Sequence, residues 1–310
     1  MNSLIVNERF AKRTGTEIVT RDYSLGLARR GHRVAILTGE AGDIAAEVES
    51  NGVCVSTDPA AIPFRPDIIH FNDLTMAQET TRAFPSTPAV LQWHRFVPTS
   101  FSVEGTNIVA ITGVSQRIIE KIARYTGRPT HGLVHNYVDL RRFEARSAPL
   151  PARPARWLLV GQQKRGYGLY AQLSWIALKH GRMLRSVGPR YFNRVDNLPK
   201  ACAEFDLVFA SGRCALEACC AGAGVVVTDF NGVGGFLTGD NIRQYYKGNF
   251  SYRSFSSPVS LDALNRAIDD YDPAQAARAT QWLRENADLE KGIDRLLALY
   301  EATLAGKNET

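Results

Sequence analysis

The stretch FDLVFASGRCALEACCAGAGVVVTDFNGVGG, residues 205–235, decides how the second half of the chain is read. A strand-type run, FDLVFA (205–210), precedes helix-forming residues around Glu217, and a β-branched run, GVVVTD (224–229), follows after a short glycine-bearing joint. This is the pattern of a strand, a crossover helix and a parallel strand. The stretch ends in a turn holding Gly232, Gly234 and Gly235, where backbone N–H groups can approach an anion closely. A plain flexible loop is the alternative.

The same rhythm extends outward in both directions. Upstream lie RWLLVG, a helix from about Tyr167 to Lys179, and MLRSVG. The first half reads LIVN, TEIVTRDYSLGLARRG, RVAILT, DIAAEVESNG, VCVST, PDIIHF, AVLQW, NIVAIT and SQRIIEKIARYTG. Gly31 and Gly52 sit where C-terminal helix caps belong, each followed within a few residues by an apolar run. Parallel strands with crossover helices make a doubly wound α/β fold the natural architecture.

At 310 residues, 45% hydrophobic and 22% charged, the chain can bury two cores. Residues 145–156, ARSAPLPARPAR, lack either periodicity and read as a linker. This gives a first domain over 1–144, a second over 157–287, and a C-terminal helix over 288–310 that packs back towards the first domain. The net charge of +6 suits an anionic ligand, an anionic membrane surface or nucleic acid. No zinc-finger, RNP-type or basic-heptad signature accompanies it, which argues against nucleic acid. Five cysteines without repeated zinc spacing read as reduced structural thiols. No apolar run approaches the roughly 20 residues of a membrane span, and MNSLIVNERF is too short and polar for a secretory signal, so a cytoplasmic location is expected.

Glu217 is a lone carboxylate among apolar helix neighbours. Such a group faces solvent, pairs with a cation, or meets a ligand. Arg213 stands four positions earlier and offers an (i, i+4) partner. The ligand alternative is a ribose, whose hydroxyls a carboxylate at a strand's carboxyl edge often accepts. Gly15 and Thr16 follow the first strand and open a helix whose N-terminus can hold phosphate or a sugar hydroxyl. Gly161 ends WLLVG, and Lys164 and Arg165 stand just past that edge, where cations neutralise a diphosphate or form a solvated basic loop. His70 and His94 also lie at strand ends, where a histidine is either structural or catalytic. Neither a dinucleotide fingerprint nor a Walker loop is present, and no histidine-rich metal cluster stands out.

Taken in order, these segments resemble the retaining glycosyltransferases of family 4. GTEIVTRDYSLGLARRGHRVAILT is similar to that family's opening glycine loop, helix and second strand. PDIIHFND, VLQWH, VSQRIIEKIARYTG and HNYVDLRRF are similar to its later first-domain segments, and residues 205–235 to its donor-binding core. The resemblance implies a GT-B fold, two Rossmann-like doubly wound domains facing across a cleft. It implies transfer of a sugar from a nucleoside diphosphate sugar to an acceptor hydroxyl with retention, without metal or other cofactor. Glu217 would hold the ribose, and Lys164, Arg165, Gly161, Gly234 and Gly235 would border the donor, with Arg213 as a further phosphate partner. His94 would be the acceptor-side catalytic histidine, and Gly15 and Thr16 the acceptor or phosphate loop. Eight residues before Glu217, where the family has its first donor glutamate, this chain has Phe209.

The implied partners are a nucleotide sugar and a glycan or lipid-linked acceptor. Peripheral membrane contact through ARRGHR, RIIEKIAR and DLRRF stands beside the alternative of ordinary solvated faces. Two other readings keep the fold: a catalytically silent nucleotide-sugar or glycan-binding subunit, and a sugar-nucleotide epimerase that needs no acceptor.

Overall fold

The computed structural model describes residues 1–161, 167–188, 195, 197–251 and 254–307. The chain divides into two compact units, one of Met1–Tyr137 with Leu289–Thr310, the other of Val138–Asp288.

The first unit is built on six parallel strands: β1 (Asn2–Asn7), β2 (Arg33–Thr38), β3 (Cys54–Ser56), β4 (Ile68–Phe71), β5 (Ala89–Trp93) and β6 (Ile108–Gly113). Their order is β3-β2-β1-β4-β5-β6. Ile5 pairs with Ile36 on one side and His70 on the other, so β1 lies at the centre. Helices α1 (Gly15–Arg29), α2 (Asp43–Glu49) and α3 (Ala77–Ala83) supply crossovers, and α4 (Gln116–Thr126) follows the last strand. Leu4, Ile5, Ile36, Leu37, Ile69 and Leu91 are fully buried, as a parallel sheet covered on both faces requires. Gly31 and Gly52 both take φ +80°, the left-handed conformation expected of residues ending α1 and α2.

The second unit carries β7 (Arg156–Val160), α5 (Tyr167–Lys179), β8 (Met183–Val187), α6 (Leu198–Cys202), β9 (Leu207–Ala210), α7 (Gly212–Cys220), β10 (Gly224–Asp229) and β11 (Gly232–Phe236). Helices α8 (Ile242–Lys247), α9 (Leu261–Asp269) and α10 (Pro273–Asn286) follow. The sheet order is β11-β10-β9-β7-β8, with only β11 antiparallel to its neighbour.

Residues 145–156, expected as a linker, instead belong to this unit. Their anchor is Asp206, 2% exposed, which accepts the backbone N–H groups of Ala155 and Arg156 at 3.0 Å each. Arg146 and Arg156 bring their guanidinium groups to within 3.2 and 3.1 Å of the same carboxylate. Burial alone would raise the Asp206 carboxyl, but these hydrogen bonds hold it below its ordinary value. The chain enters the unit at Val138 and leaves it beside that point, with the Val138 N–H donating to Ala287 O at 2.8 Å.

The last helix, α11 (Leu289–Lys307), completes the first unit. Ile293, Leu296 and Tyr300 are fully buried in the same core as Val19, Tyr23 and Leu27 of α1. Gly26 makes the crossing possible: a Cβ there would lie 2.6 Å from the Ile293 side chain. Tyr23 and Tyr300 flank His70 edge-on, each with ring centroids 5.8 Å from it.

Burial pushes His70 down to about 4, and burial with the nearby Arg295 charge does the same to His135. The unfolded chain gains these protons near pH 6.5, the folded chain only near pH 4, so stability falls as pH drops between those values. Chemical denaturation of the first unit between pH 7 and pH 5 should show His70 alone removing about 2 kcal/mol. The variant His70→Phe should have a visibly flatter pH dependence; an unchanged slope would contradict the assignment.

Candidate functional site

In an open parallel sheet, the strand order reverses at one place, and loops leaving the carboxyl ends there diverge and leave a crevice. In the second unit the reversal lies between β7 and β9. Gly161 follows β7 and donates its N–H to Val187 O at 2.9 Å. A Cβ on Gly188, which has φ +139°, would lie 1.9 Å from Gly161 O, so the two backbones meet where no side chain fits. Lys164 and Arg165, expected next in the chain, lie outside the described residues.

Across the reversal, β9 ends at Ala210 and Ser211 caps α7. The Ser211 hydroxyl donates to Asp229 Oδ2 at 3.1 Å, while Asp229 Oδ1 accepts the Asn231 N–H at 2.7 Å. Gly212, at φ +58°, donates its N–H to Phe250 O at 2.7 Å. Phe250 is itself held at φ +49°, a costly conformation for a bulky residue, fixed by its full burial. The start of α7 is thus tied to the end of β10 and to a constrained loop.

Arg213 and Glu217 share one face of α7. Arg213 Nε donates to Glu217 Oε1 at 2.7 Å, and the two side chains are only 8% and 11% exposed. Of the alternatives open for Glu217, the structure contains the ion pair. Phe209, eight residues before Glu217, is fully buried within β9 and packs its ring 5.8 Å from that of Trp157. Its position is sheet interior, below the carboxyl edge.

The glycine turn differs from expectation. Gly232, Gly234 and Gly235 form strand β11, hydrogen-bonded to β10 on one side. On the other, Val233 exchanges backbone hydrogen bonds with the 256–257 segment. A Cβ on Gly232 would lie 2.7 Å from Ser257 O, and one on Gly234 would lie 3.0 Å from Ser254 O. Tyr245 donates its hydroxyl to Gly234 O. These glycines serve close packing within a hairpin. Gly235 sits opposite Val227 and Gly234 falls at the register shift between Val227 and Thr228, both inward of the carboxyl edge.

In the first unit the reversal lies between β1 and β4. The loop after β1 is held by Glu17, 3% exposed, which accepts the N–H groups of Ala11, Lys12 and Thr14 at 2.8 to 2.9 Å. Asp73, after β4, accepts the Glu8 N–H at 2.8 Å. Gly15 is exposed and nothing lies within 4 Å of a Cβ placed on it, so the start of α1 has open space beside it.

His94, one residue beyond β5, is half-buried with Nε2 3.0 Å from Asn72 Oδ1. Asn72 Nδ2 donates to Thr20 Oγ1 at 2.9 Å, and Thr20 Oγ1 donates to Thr16 O at 3.0 Å. Each direction follows from the last, so neutral His94 carries its proton on Nε2 and its basic lone pair on Nδ1. The chain of bonds joins two predicted residues, Thr16 and His94, at one sheet edge, with Gly15 next to Thr16 in the sequence. Asn72, Asp73, Glu17, Ser211 and Asp229 were not singled out from sequence. Thr14 and Glu17 show the spacing of a capping box, a legible signal; the others become visible only once strand ends are aligned.

No family model matches the chain, and no curated protein matches it in sequence. Solved structures do. A glycosyltransferase from Rickettsia africae is 14% identical over 98% of each chain, with a TM-score of 0.67. HepE from Anabaena, crystallised with UDP and glucose, is 14% identical over 96% of this chain and 99% of its own, also at 0.67. The lipopolysaccharide outer core galactosyltransferase WaaB is 11% identical over 96% and 99%, at 0.56. The chain has the α/β GT-B fold of these glycosyltransferases.

Two outcomes are expected of this site in the protein alone. Glu217→Ala leaves Arg213 buried without its carboxylate and should cost about 3–5 kcal/mol, whereas Arg213→Met with Glu217→Met should recover most of it. Equal destabilisation of both variants in urea melts would contradict a buried pair. Burial, then the Glu217 charge, pushes the Cys214 thiol up to about 12, and burial does the same to Cys219. Burial also raises Cys202 and Cys220 well above the ordinary thiol value, so at pH 7.5 a thiol reagent should label the partly exposed Cys54 alone until the chain unfolds.

Proposed function

We propose that this protein transfers a sugar from a nucleoside diphosphate sugar to an acceptor hydroxyl, with retention, in assembly of a surface polysaccharide or glycoconjugate. The observation that carries the reading is the whole-chain likeness to glycosyltransferases, one of them solved with UDP and glucose. It is supported by polar and glycine backbone groups gathered at the reversal point of each sheet.

In this reading the second unit takes the donor. The diphosphate lies over Gly161 and the start of α7, where helix N–H groups favour anions, and Lys164 and Arg165 neutralise its charge. Glu217 accepts ribose hydroxyls while keeping Arg213 beside the phosphates. The acceptor oxygen attacks the anomeric carbon from the face the diphosphate leaves. The sugar–phosphate C–O bond breaks with its electron pair going to phosphate, and the acceptor proton passes to the departing phosphate oxygen. His94, fixed by Asn72, orients the acceptor side through Nδ1. Chemistry of this kind places the enzyme after a step that activates a sugar as its nucleoside diphosphate.

A second reading is favoured by a specific observation. Glu217 is already paired with Arg213, and Phe209 occupies the place of the family's first glutamate, as a binding module without catalysis would allow.

A thermal-shift panel of UDP, GDP, ADP and dTDP with their sugars tests both. Saturation at about 100 Kd should add about 2.7 kcal/mol of stability. The expected result is a shift with one nucleotide series, lost in the doubly substituted Arg213→Met, Glu217→Met variant, with His94→Ala lowering transfer while keeping the shift. A shift without sugar turnover, with or without acceptor, would select the binding module. Absence of any shift would sink both.

A further inference from the structure

Helix α5 is apolar on two faces. Leu169, Leu173, Ile176 and Ala177 are buried against the sheet of the second unit. The positions between them form a second stripe of period four and three, Tyr167, Ala171, Trp175 and Leu178, and all four are exposed. Tyr167 is 65% exposed, Trp175 51% and Leu178 68%. A helix apolar around its circumference is normally enclosed; this one is covered on one side. The helix of 13 residues makes the stripe about 20 Å long.

The stripe runs directly into the sheet edge. Gly181, at φ +65°, donates to Leu178 O at 2.9 Å and Arg182 N–H donates to Ala177 O at 2.8 Å, so the chain turns at once into β8. That strand pairs with β7 and has no second neighbour among the described residues. It opens with Met183, 80% exposed.

From Tyr167 to Val187 the chain has three cations, Lys179, Arg182 and Arg185, and neither Asp nor Glu, and no carboxylate pairs with these three among the described residues. Lys179 Nζ lies 5.1 Å over the Trp175 ring. One of the basic segments expected to meet a membrane, ARRGHR, has two of its cations paired. Arg29 and Arg30 of ARRGHR are bound by Glu290 at 3.3 and 3.0 Å, and Arg30 also by Asp294 at 3.1 Å.

We propose that the outer face of α5 and the adjoining edge strand β8 form a docking surface for an anionic lipid bilayer. Trp175, Leu178 and Met183 enter the headgroup boundary, and Lys179, Arg182 and Arg185 meet the lipid phosphates. An aromatic and aliphatic stripe bordered by cations is the pattern that binds in the plane of a membrane interface. A second copy of the chain is the weaker occupant. Antiparallel pairing of β8 with its own copy centres on Arg185 and sets like charges opposite each other, and edge arginines generally prevent such pairing. The surface lies on the outer edge of the sheet, away from the β7–β9 reversal, so docking leaves the carboxyl-edge residues Gly161 and Ser211 uncovered.

Flotation of the full chain with vesicles tests this, comparing phosphatidylcholine alone with an equal mixture of phosphatidylcholine and phosphatidylglycerol. The protein should partition at least tenfold more strongly onto the anionic vesicles, and Arg182→Gln with Arg185→Gln should weaken this about 25-fold, near fivefold per charge. Trp175→Ser with Leu178→Ser should also abolish flotation and remove the blue shift of tryptophan emission seen on binding. All four positions have substantial exposure or lie at a sheet edge, so melting temperatures should stay unchanged. Failure of the wild type to bind anionic vesicles, or wild-type binding by both double variants, overturns the proposal. A solution dimer by light scattering that both double variants dissolve would also overturn it and assign the face to a second copy.

Discussion

Parallel strand pairing is the constraint from which the rest of the molecule follows. A parallel strand can be reached only by a crossover, so crossover connections cover the faces of the sheet and the central strands become apolar along their length. Polar groups are consequently displaced to the strand ends. Within each unit, the residues with chemistry available to them stand at the carboxyl edge: Asn72, Asp73 and His94 in one, Gly161, Ser211 and Asp229 in the other. Phe209 illustrates the converse. One residue before the end of β9, it packs on Trp157 and belongs to the core.

The edges are also built differently. The first unit stabilises its loop with carboxylates that gather backbone N–H groups, Glu17 taking three and Asp73 a fourth. The second uses glycine where backbones touch, at Gly161 with Gly188, and a buried ion pair on α7. Both solutions fix the loop before any ligand arrives, which lowers the ordering cost of binding.

Much of the fold was legible in the sequence because it depends on local periodicity. The strand runs, α1 with its Gly31 cap, and the doubly wound class all follow from apolar spacing. The Arg213–Glu217 pair was legible for the same reason, its partners lying one helical turn apart. The His94–Asn72 bond was not, since 22 residues separate its ends and only the β4–β5 register brings them together. Composition misled in two places. A segment rich in Pro, Ala and Arg looks like a linker until Asp206, 60 residues from Arg146, is seen to bind it. Glycines chosen for tight packing of β11 have the same spelling as glycines that bind an anion.

The first unit is discontinuous, with α11 supplied by the last residues of the chain. The second unit, Val138–Asp288, is one continuous segment. During synthesis the second unit therefore has its whole sequence before the first does, although the first begins earlier. Until α11 has been made, the α1 surface around Gly26 that receives Ile293, Leu296 and Tyr300 stays open to solvent, an apolar face of the kind chaperones engage.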